Sequence, residues 1–328
     1  MVPFPSNDPE QHGLDQAPVF VDERSALLEA GWAALPSEYR IPDEAPSLAD
    51  AKAYCERLAR SHYENFSVAT WFLPKRLRPH FHSVYAYCRI SDDLGDEVGN
   101  TQQSLALLDA WERELDECYD GTPRHPAFVA LRETIRACEV PKDPFANLLK
   151  AFRQDQTMTR YESFDDVLGY CKYSANPVGH LVLYLCGYRD EERQRLSDFT
   201  CTALQLANFW QDVKVDYAKG RVYLPLEDLR RFGATEQQIA DSRFDECFRE
   251  LMRFEVDRAM DWFRQGLPLV EKLDRELAVD IELFSRGGME ILKAIEQQGY
   301  DVLTSRPAIS KLRKLKLVAK AAVGRILA

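Results

Sequence analysis

Two aspartates continue an apolar stripe that a helix should turn toward a protein core. The i, i+3, i+4, i+7 spacing of such a stripe is followed by Phe81, Val84, Tyr85 and Cys88. The next positions on that face are Asp92 and Asp96, within the stretch CRISDDLGDE. Carboxylates facing a core cost several kcal/mol unless a positive group meets them. The pattern therefore indicates that a cation binds there.

A second acidic series lies in the stretch QLANFWQDVKVDYAKGRVYLP. Asn208, Asp212 and Asp216 are spaced i, i+4 and i+8, which stacks three oxygen-bearing side chains on one helix face over about 12 Å. The adjoining face is apolar, so this helix is also expected to be packed. We call Asp92 and Asp96 the first acidic ladder, and the other three residues the second acidic ladder.

Two facing ladders would make an anionic site with oxygen ligands only, which is the ligand set that Mg²⁺ shares with substrate phosphates. A single acidic motif is more often a solvated helix face or a complement to the helix dipole. Two ladders that both continue packed faces favour a Mg²⁺ site instead. Arg89 lies three residues before Asp92, on the same side of the helix, where it could contact a diphosphate held by the metal.

Such a site would act on the leaving group of a substrate. With its diphosphate neutralised by Mg²⁺, an allylic or cyclopropylcarbinyl diphosphate can ionise to a carbocation, which needs a dry apolar chamber. The stretch LGYCKYSANPVGHLVLYL supplies candidate walls, with the small residues Ser174, Ala175 and Gly179 beside Tyr170 and Tyr173. A tyrosine ring stabilises a cation by about 0.5 to 2 kcal/mol, and its hydroxyl can relay a proton. A core tyrosine with a satisfied hydroxyl is an equally good interpretation of Tyr170.

The elements that must position these residues are helices. Helical periodicity covers residues 47–60, 79–98, 101–119, 125–139, 143–157, 163–187, 190–217 and 244–296. No strand alternation and no internal repeat is evident, so the predicted fold class is all-α, with one bundle whose centre could hold a ligand. Residues 1–46 are rich in Pro, Asp and Glu and form a predicted leader, mostly irregular, with a short helix near 26–34. Residues 47–328 form the predicted catalytic domain.

Composition excludes several classes of protein. The net charge of −11 argues against nucleic acid as a partner. No run of about 18 apolar residues is present, and the N-terminus lacks the basic start and apolar segment of a secretory signal. We therefore expect a cytoplasmic location. The eight cysteines are scattered without a CxxC pair and are expected to be mostly reduced core thiols.

The C-terminal end has a charge of its own. From Arg306 onward there are seven Lys or Arg residues and no acid, which leaves −18 on the rest of the chain. In SKLRKLKLVAKAAVGRILA a moderately apolar helix face is formed by Leu312, Leu315, Ala319, Ala322 and Ile326. Two interpretations stay open: a last helix docked on the bundle, or an interfacial helix that gives peripheral contact with anionic lipid.

Four motifs together resemble those of the squalene and phytoene synthase family. In chain order they are ENFSVATWFLP, YAYCRISDDLGDE, YCKYSANPVGHL and NFWQDVKVDYAKGRVYLP. Order and spacing are most similar to the bacterial hydroxysqualene synthases of the hopanoid pathway, and the resemblance covers about residues 47–317. It implies the all-α isoprenoid synthase fold, with a helical bundle around a central active-site cavity.

The resemblance also implies roles for individual residues. The family's metal ligands match Asp92, Asp96, Asn208, Asp212 and Asp216. The diphosphate and substrate sites match His62, Phe66, Tyr85, Arg89, Gln205, Arg221 and Tyr223. Tyr170 matches the family's catalytic tyrosine, and we expect Tyr170, Arg89, Asp92 and Asp212 to carry catalysis with Mg²⁺ as cofactor.

One departure from the family pattern bears on the substrate. Squalene and phytoene synthases generally have arginine just before the position of Asp212, where this chain has Gln211. A neutral substrate-site residue fits one diphosphate better than two, so we expect presqualene diphosphate and water to give hydroxysqualene and diphosphate. The alternative is a squalene, presqualene diphosphate or phytoene synthase that condenses two prenyl diphosphates. A non-catalytic helical assembly factor would not be expected to keep both ladders.

Overall fold

The computed structural model describes residues 23–61 and 74–310, which form thirteen α-helices and two short 3₁₀-helices. The helices are α1 (Glu23–Ala33), α2 (Leu48–Ser61), α3 (Arg78–Asp96), α4 (Thr101–Asp120), α5 (Pro126–Cys138), α6 (Asp143–Gln154), α7 (Phe164–Ser174), α8 (Asn176–Leu185), α9 (Glu191–Ala218), α10 (Leu226–Phe232), α11 (Glu236–Ala240), α12 (Glu246–Gly266) and α13 (Arg275–Gln297). The 3₁₀-helices are Ser37–Tyr39 and Leu267–Lys272. The described residues contain no strand, only an isolated bridge between Arg160 and Val222. The predicted all-α fold class is thereby confirmed.

Helix starts follow the local sequence. Pro79 lies in the first turn of α3, as predicted, where its missing N–H is not needed by the helix. Asn100 caps α4 by accepting a hydrogen bond from the Gln103 N–H at 3.0 Å, and Ser163 begins α7 with a capping box. Of the two helices that carry the acidic ladders, α3 begins with this proline and α9 begins with Asp190, whose side chain accepts a hydrogen bond from the Arg193 N–H.

Two long predicted helices are broken in the structure. The predicted helix over 163–187 divides at Ala175 into α7 and α8, with Pro177 in the first turn of α8. The predicted helix over 244–296 divides at the 3₁₀-helix Leu267–Lys272, which contains Pro268, and Asp274 then caps α13. Proline removes one helical hydrogen bond and crowds the preceding turn, so both breaks follow from residues that the periodicity alone did not weigh.

The described part of the predicted leader packs on the bundle. Helix α1 lies against α4, and Trp32, Leu35 and Tyr39 are buried in the same core as α2 and α3. The short helix near 26–34 was predicted, but the burial of the turn that follows it was not. Aromatic side chains before residue 46 therefore belong to the core, while the predicted domain division at residue 46 stays a prediction.

The buried hydrophobic side chains of the described residues form two cores. The N-terminal core gathers side chains of α1 to α6 and α8, including Trp111 and Phe128. The C-terminal core gathers side chains of α7 and α9 to α13, including Trp210 and Phe248. Helix α3 belongs to the first core and α9 to the second, so the two helices that carry the acidic ladders pack in different cores.

Candidate active site

An apolar cavity of about 330 Å³ lies between α3, α8, α9 and α13. From α3 and α9 its lining residues are Phe81, Val84, Tyr85, Cys88, Ser197, Thr200, Cys201 and Leu204. The α3 set is the stripe that the sequence predicted. Asp280 of α13, itself buried, is the one charged residue among the described residues that line the cavity.

Two of the four lining helices, α3 and α9, continue from this cavity into an acidic ladder. On α3 the last lining residue, Cys88, is followed one turn later by Asp92. On α9 the last lining residue, Leu204, is followed one turn later by Asn208. Four residues advance a helix by about 6 Å, so the apolar space changes to an acidic one within a single turn on each side. One site therefore has an apolar chamber and a carboxylate-rich end.

In the first acidic ladder the adjacent aspartates have separate environments. Asp92 is partly exposed beside the cavity, and burial, followed by the charge of Asp96, raises its pKa to about 6. Asp93 is buried and accepts hydrogen bonds from Arg89 Nε at 3.0 Å and from the Tyr39 hydroxyl at 2.8 Å. Only Asp92 is therefore available to a ligand, and Asp93 holds the arginine.

Asp96, at the end of α3, is paired with a residue of the loop after α9. Arg221 Nη2 lies 2.7 Å from Asp96 Oδ1 and Arg221 Nη1 lies 3.4 Å from Asp96 Oδ2. This two-point contact joins the first ladder to the chain that leaves the second. Burial raises the pKa of Asp155 and of Asp216, and the charge of Arg221 opposes both shifts. The two ladders thus border the same space.

The second acidic ladder lies along one face of α9, as predicted. Asn208 is exposed, and Asp212 forms a two-point ion pair with Arg306, with Arg306 Nη2 at 3.0 Å from Asp212 Oδ2. Burial, followed by the charge of Asp212, raises the pKa of Asp216 to about 7. An arginine beyond α13 therefore neutralises the middle of this ladder.

Gln211 has partners within the protein. Its side-chain Nε2 donates to the Pro307 carbonyl at 2.6 Å, and its Oε1 accepts from Arg306 Nη2 at 3.2 Å. The residue is buried. The position therefore contacts the segment after α13 in this conformation, and the positive charge absent at residue 211 is supplied nearby by Arg306. Both polar atoms of the Gln211 side chain have protein partners in this geometry, which differs from the predicted direct contact with substrate.

Tyr170 belongs to an aromatic cluster with Tyr161, Phe209 and Tyr223. The rings of Phe209 and Tyr223 stack at 3.7 Å between centroids, and the ring of Tyr170 lies 5.7 Å from that of Tyr223. The Tyr170 hydroxyl donates to Asp155 Oδ2 at 2.9 Å. Burial raises the pKa of Asp155 to about 7, although Arg221 opposes the shift. A hydrogen-bonded phenol and a carboxyl that titrates near neutrality therefore lie beside the acidic end.

The small residues of the α7–α8 stretch allow close packing rather than open space. A Cβ atom at Gly179 would lie 2.2 Å from Ser197 Oγ and 2.6 Å from Cys201 Sγ, so the glycine lets α8 approach α9. From this stretch the cavity wall is formed by Val178, Gly179, Val182 and Leu185. Ser174 and Ala175 mark the break between the two helices instead.

Comparison with known proteins assigns this arrangement to a family. Residues 59–313 match the family model described as squalene/phytoene synthase. The chain belongs to the squalene/phytoene synthase family. Squalene/phytoene synthases process prenyl diphosphates, and both acidic ladders lie within the matched residues. The resemblance that the four motifs indicated is thereby confirmed.

Individual squalene/phytoene synthases are similar over most of the chain. The squalene synthase HpnC from Alicyclobacillus acidocaldarius is 46% identical with a TM-score of 0.75, over 82% of this chain and 98% of that one. A dehydrosqualene synthase solved with a ligand is 26% identical with a TM-score of 0.77, over 86% and 98%. The 15-cis-phytoene synthase of Synechococcus elongatus is 31% identical over 82% of this chain and 91% of that protein.

Most of the predicted site residues converge in this squalene/phytoene synthase. Tyr85 lines the cavity, and Gln205 is half-buried on α9 directly after a lining residue. The acidic end and its aromatic neighbour bring together Arg89, Asp92, Asp96, Asn208, Asp212, Asp216, Tyr170, Arg221 and Tyr223. His62 and Phe66 lie outside the described residues. The sequence interpretation missed Tyr39, Asp93, Asp155 and Arg306; only the basic run that begins at Arg306 was a visible signal.

The oxygen donors of the squalene/phytoene synthase site fit Mg²⁺ in their chemistry. Asp216 Oδ2 is buried and accepts no hydrogen bond from the described part of the chain. Between residues 23 and 310, leaving aside the undescribed 62–73, no three His, Cys, Asp or Glu side chains are grouped as a metal site. Asp96 and Asp212 are each paired with an arginine instead. The carboxylates therefore suit Mg²⁺ but are not assembled around one point.

Proposed function

We propose that the chain is a Mg²⁺-dependent hydroxysqualene synthase, which converts presqualene diphosphate and water to hydroxysqualene and diphosphate. The observation that carries this proposal is an apolar cavity whose lining on α3 and α9 is followed, one helical turn later, by the two acidic ladders. An apolar chamber suits a triterpene cation, and the acidic end suits a metal-bound diphosphate.

The degree of similarity supports the squalene side of the family. Identity is 46% to a protein described as a squalene synthase, compared with 31% and less to the first phytoene synthases. The resemblance of the motifs to the hydroxysqualene branch points the same way. Gln211 gives weaker support than its neutral charge suggested, because Arg306 brings a guanidinium to the same place.

Ionisation would need two sets of side chains, one that binds the metal and one that binds the diphosphate. Asp92, Asp96, Asn208, Asp212 and Asp216 would hold Mg²⁺. When bound, Mg²⁺ supplies neutralisation of the diphosphate leaving group. The guanidinium groups of Arg89, Arg221 and Arg306 border the same end and would contact diphosphate oxygens, which they suit in charge and geometry. Binding would require Arg221 and Arg306 to exchange carboxylate for phosphate oxygens.

The rest of the site would control the cation. As the C–O bond breaks, its electron pair stays on the diphosphate and the substrate carbon becomes cationic. The apolar walls exclude bulk water until rearrangement is complete, and the Tyr170 and Tyr223 rings favour positive charge. One water then adds to the cation and loses a proton. Asp155, hydrogen-bonded to Tyr170 and titrating near neutrality, is suited to accept that proton.

The alternative is a synthase that condenses two prenyl diphosphates to presqualene diphosphate, squalene or phytoene, which the same fold and ladders could serve. The deciding experiment is product analysis with purified protein and Mg²⁺, using either presqualene diphosphate or farnesyl diphosphate, each with and without NADPH. We expect an alcohol from presqualene diphosphate without NADPH, and little product from farnesyl diphosphate. Efficient condensation of farnesyl diphosphate would overturn the proposal in favour of the alternative.

A further inference from the structure

A buried hydrogen-bond chain links the N-terminal segment to Arg89. The Tyr39 hydroxyl donates to Asp93 Oδ2 at 2.8 Å, and Arg89 Nε donates to the same oxygen at 3.0 Å. Arg89 Nη2 also contacts Asp93 Oδ1. Tyr39 is 2% exposed and Asp93 is 5% exposed, so water does not compete for these contacts. The Arg89 side chain is 30% exposed and is therefore accessible from the site.

These hydrogen bonds leave one edge of the Arg89 guanidinium for a ligand. Asp93 takes Nε and Nη2 of the guanidinium, and Nη1 lies 3.7 Å from Asp92 Oδ2, at the acidic end of the cavity. A guanidinium that is clamped on one edge loses less conformational entropy when a phosphate oxygen binds the other. The orientation of Arg89 therefore depends on how firmly Asp93 is held.

Tyr39 itself is held from several directions. It ends the 3₁₀-helix Ser37–Tyr39. The Glu38 carbonyl in that turn accepts a hydrogen bond from the Tyr54 hydroxyl at 3.1 Å and lies 3.2 Å from His125 Nε2. Trp32 and Leu35 pack in the same core. A hydroxyl mounted on such a fixed turn can hold a carboxylate in one place.

We propose that Tyr39 is a positioning residue that orients Arg89 through Asp93 for contact with the substrate diphosphate. The inference rests on the proposed role of Arg89 in the proposed function. Tyr39 precedes residues 59–313, which match the family model, so a segment outside the matched region completes the site. Removing the hydroxyl leaves Asp93 with Arg89 as its partner and lets the ion pair shift as a unit.

The test is Tyr39→Phe, which keeps the buried ring and removes one hydroxyl. The matched control is Tyr87→Phe on the helix that carries Arg89: Tyr87 is fully buried and its hydroxyl donates to the Phe145 carbonyl at 2.8 Å. We expect Tyr39→Phe to raise KM, and the Kd of inorganic diphosphate measured by calorimetry with Mg²⁺, by about three- to tenfold. We expect the control to leave both unchanged at a similar melting temperature.

A double-mutant cycle with Arg89→Ala separates positioning from a general structural effect. In the Arg89→Ala background, adding Tyr39→Phe should change the Kd of inorganic diphosphate by less than about twofold. The inference is overturned if Tyr39→Phe leaves Kd unchanged, if Tyr87→Phe raises it equally, or if the full effect persists without Arg89. Condensation of farnesyl diphosphate by the wild type would overturn the proposed function alone, because the diphosphate binding data would still decide the role of Tyr39.

Discussion

At the scale of single residues, the adjacent carboxylates Asp92 and Asp93 of α3 have different roles. Asp92 continues the stripe one turn beyond the cavity lining, whereas Asp93 is buried and is satisfied by Arg89 and Tyr39. Periodicity identified Asp92 and Asp96. It could not identify the role of Asp93, because its partner Tyr39 is 54 residues away in sequence.

Asp92→Ala should reduce turnover by about a hundredfold or more while the fold survives, because it removes a proposed metal ligand. Its melting temperature should be unchanged or higher without Mg²⁺, since burial and the charge of Asp96 already disfavour an ionised Asp92. Activity over a Mg²⁺ titration and thermal unfolding are the measurements. Asp257→Ala, at an exposed acid on α12, is the control. Near-normal activity of Asp92→Ala at limiting Mg²⁺ would contradict the metal assignment.

Gln211→Leu separates two explanations of the glutamine. If only the neutral charge of residue 211 matters, Gln211→Leu should leave KM and stability unchanged. If the contacts with Arg306 and Pro307 matter, it should change both. We expect KM to rise several-fold and stability to fall by about 1 kcal/mol, because a buried carbonyl and a guanidinium each lose a partner. Steady-state kinetics and urea unfolding measure these effects. Wild-type behaviour of Gln211→Leu would restore the interpretation based on charge.

At the scale of elements, the positions of helices were largely predictable from periodicity and caps, whereas their interruptions depend on prolines that periodicity does not take into account. Residues 163–187 and 244–296 have continuous helical patterns, yet Pro177 and Pro268 divide them. The same breaks set the direction of α8 and α13, which wall the cavity. Close helix approach was also invisible, because a glycine in sequence can mean open space, a turn or a contact.

Gly179→Ala tests the close approach of α8 and α9. Its Cβ would lie 2.2 Å from Ser197 Oγ, so we expect the free energy of unfolding to fall by about 1 to 3 kcal/mol. The control is Gly169→Ala in α7, where no atom lies within 4 Å and alanine should stabilise the helix by up to about 1 kcal/mol. Chemical denaturation measures both. Equal effects at the two glycines would contradict the close packing.

His125, the N-cap of α5, predicts how stability depends on pH. Burial lowers the pKa of His125 to about 4, and its Nδ1 accepts a hydrogen bond from the Ala127 N–H at 3.1 Å. Because burial lowers the pKa in the folded state only, stability is full above about pH 6.5 and is lost as pH falls from about 6.5 to about 4. Over that window the wild type should lose about 3 kcal/mol more than His125→Asn, which keeps a cap but does not titrate.

Urea unfolding of both proteins at several pH values between 4 and 7.5 is the measurement. The absolute stability of His125→Asn is expected to be lower, since asparagine does not fill the imidazole site, so the slopes are compared rather than the midpoints. Parallel pH profiles for the two proteins would show that His125 is not the titrating group.

At the scale of the whole molecule, the site is lined by helices that belong to two different cores. Helix α3 packs in the N-terminal core and α9 in the C-terminal core, and each contributes cavity-lining residues that an acidic ladder follows. The stripe on α3 and both ladders were predictable because they are local. Their neutralisation by Arg221 and Arg306 was not, because both arginines arrive from loops whose course depends on the assembled fold.

Charge at the scale of the chain leads to a last prediction, on membrane contact. No helix in the described part of the chain has the length and hydropathy needed to span a membrane. The basic helix predicted at Ser310–Ala328 lies almost wholly outside the described residues, so its two interpretations stay predictions, as does a cytoplasmic location. Seven basic residues from Arg306 onward oppose −18 on the rest. Attachment to anionic lipid would therefore have to be oriented through this end.

Co-sedimentation with vesicles compares the full chain with the triple variant Arg313→Gln, Lys314→Gln and Lys320→Gln. The control carries the same charge change on described helices, at the exposed residues Lys172, Lys214 and Lys293. Each basic residue near an anionic surface contributes about 1 kcal/mol, so the C-terminal variant should bind anionic vesicles roughly a hundredfold more weakly at low salt. The control should bind like the wild type, and added salt should release both. The membrane interpretation fails if the wild type does not bind anionic vesicles at low salt. It also fails if the control loses as much binding as the C-terminal variant, and the basic end is then structural.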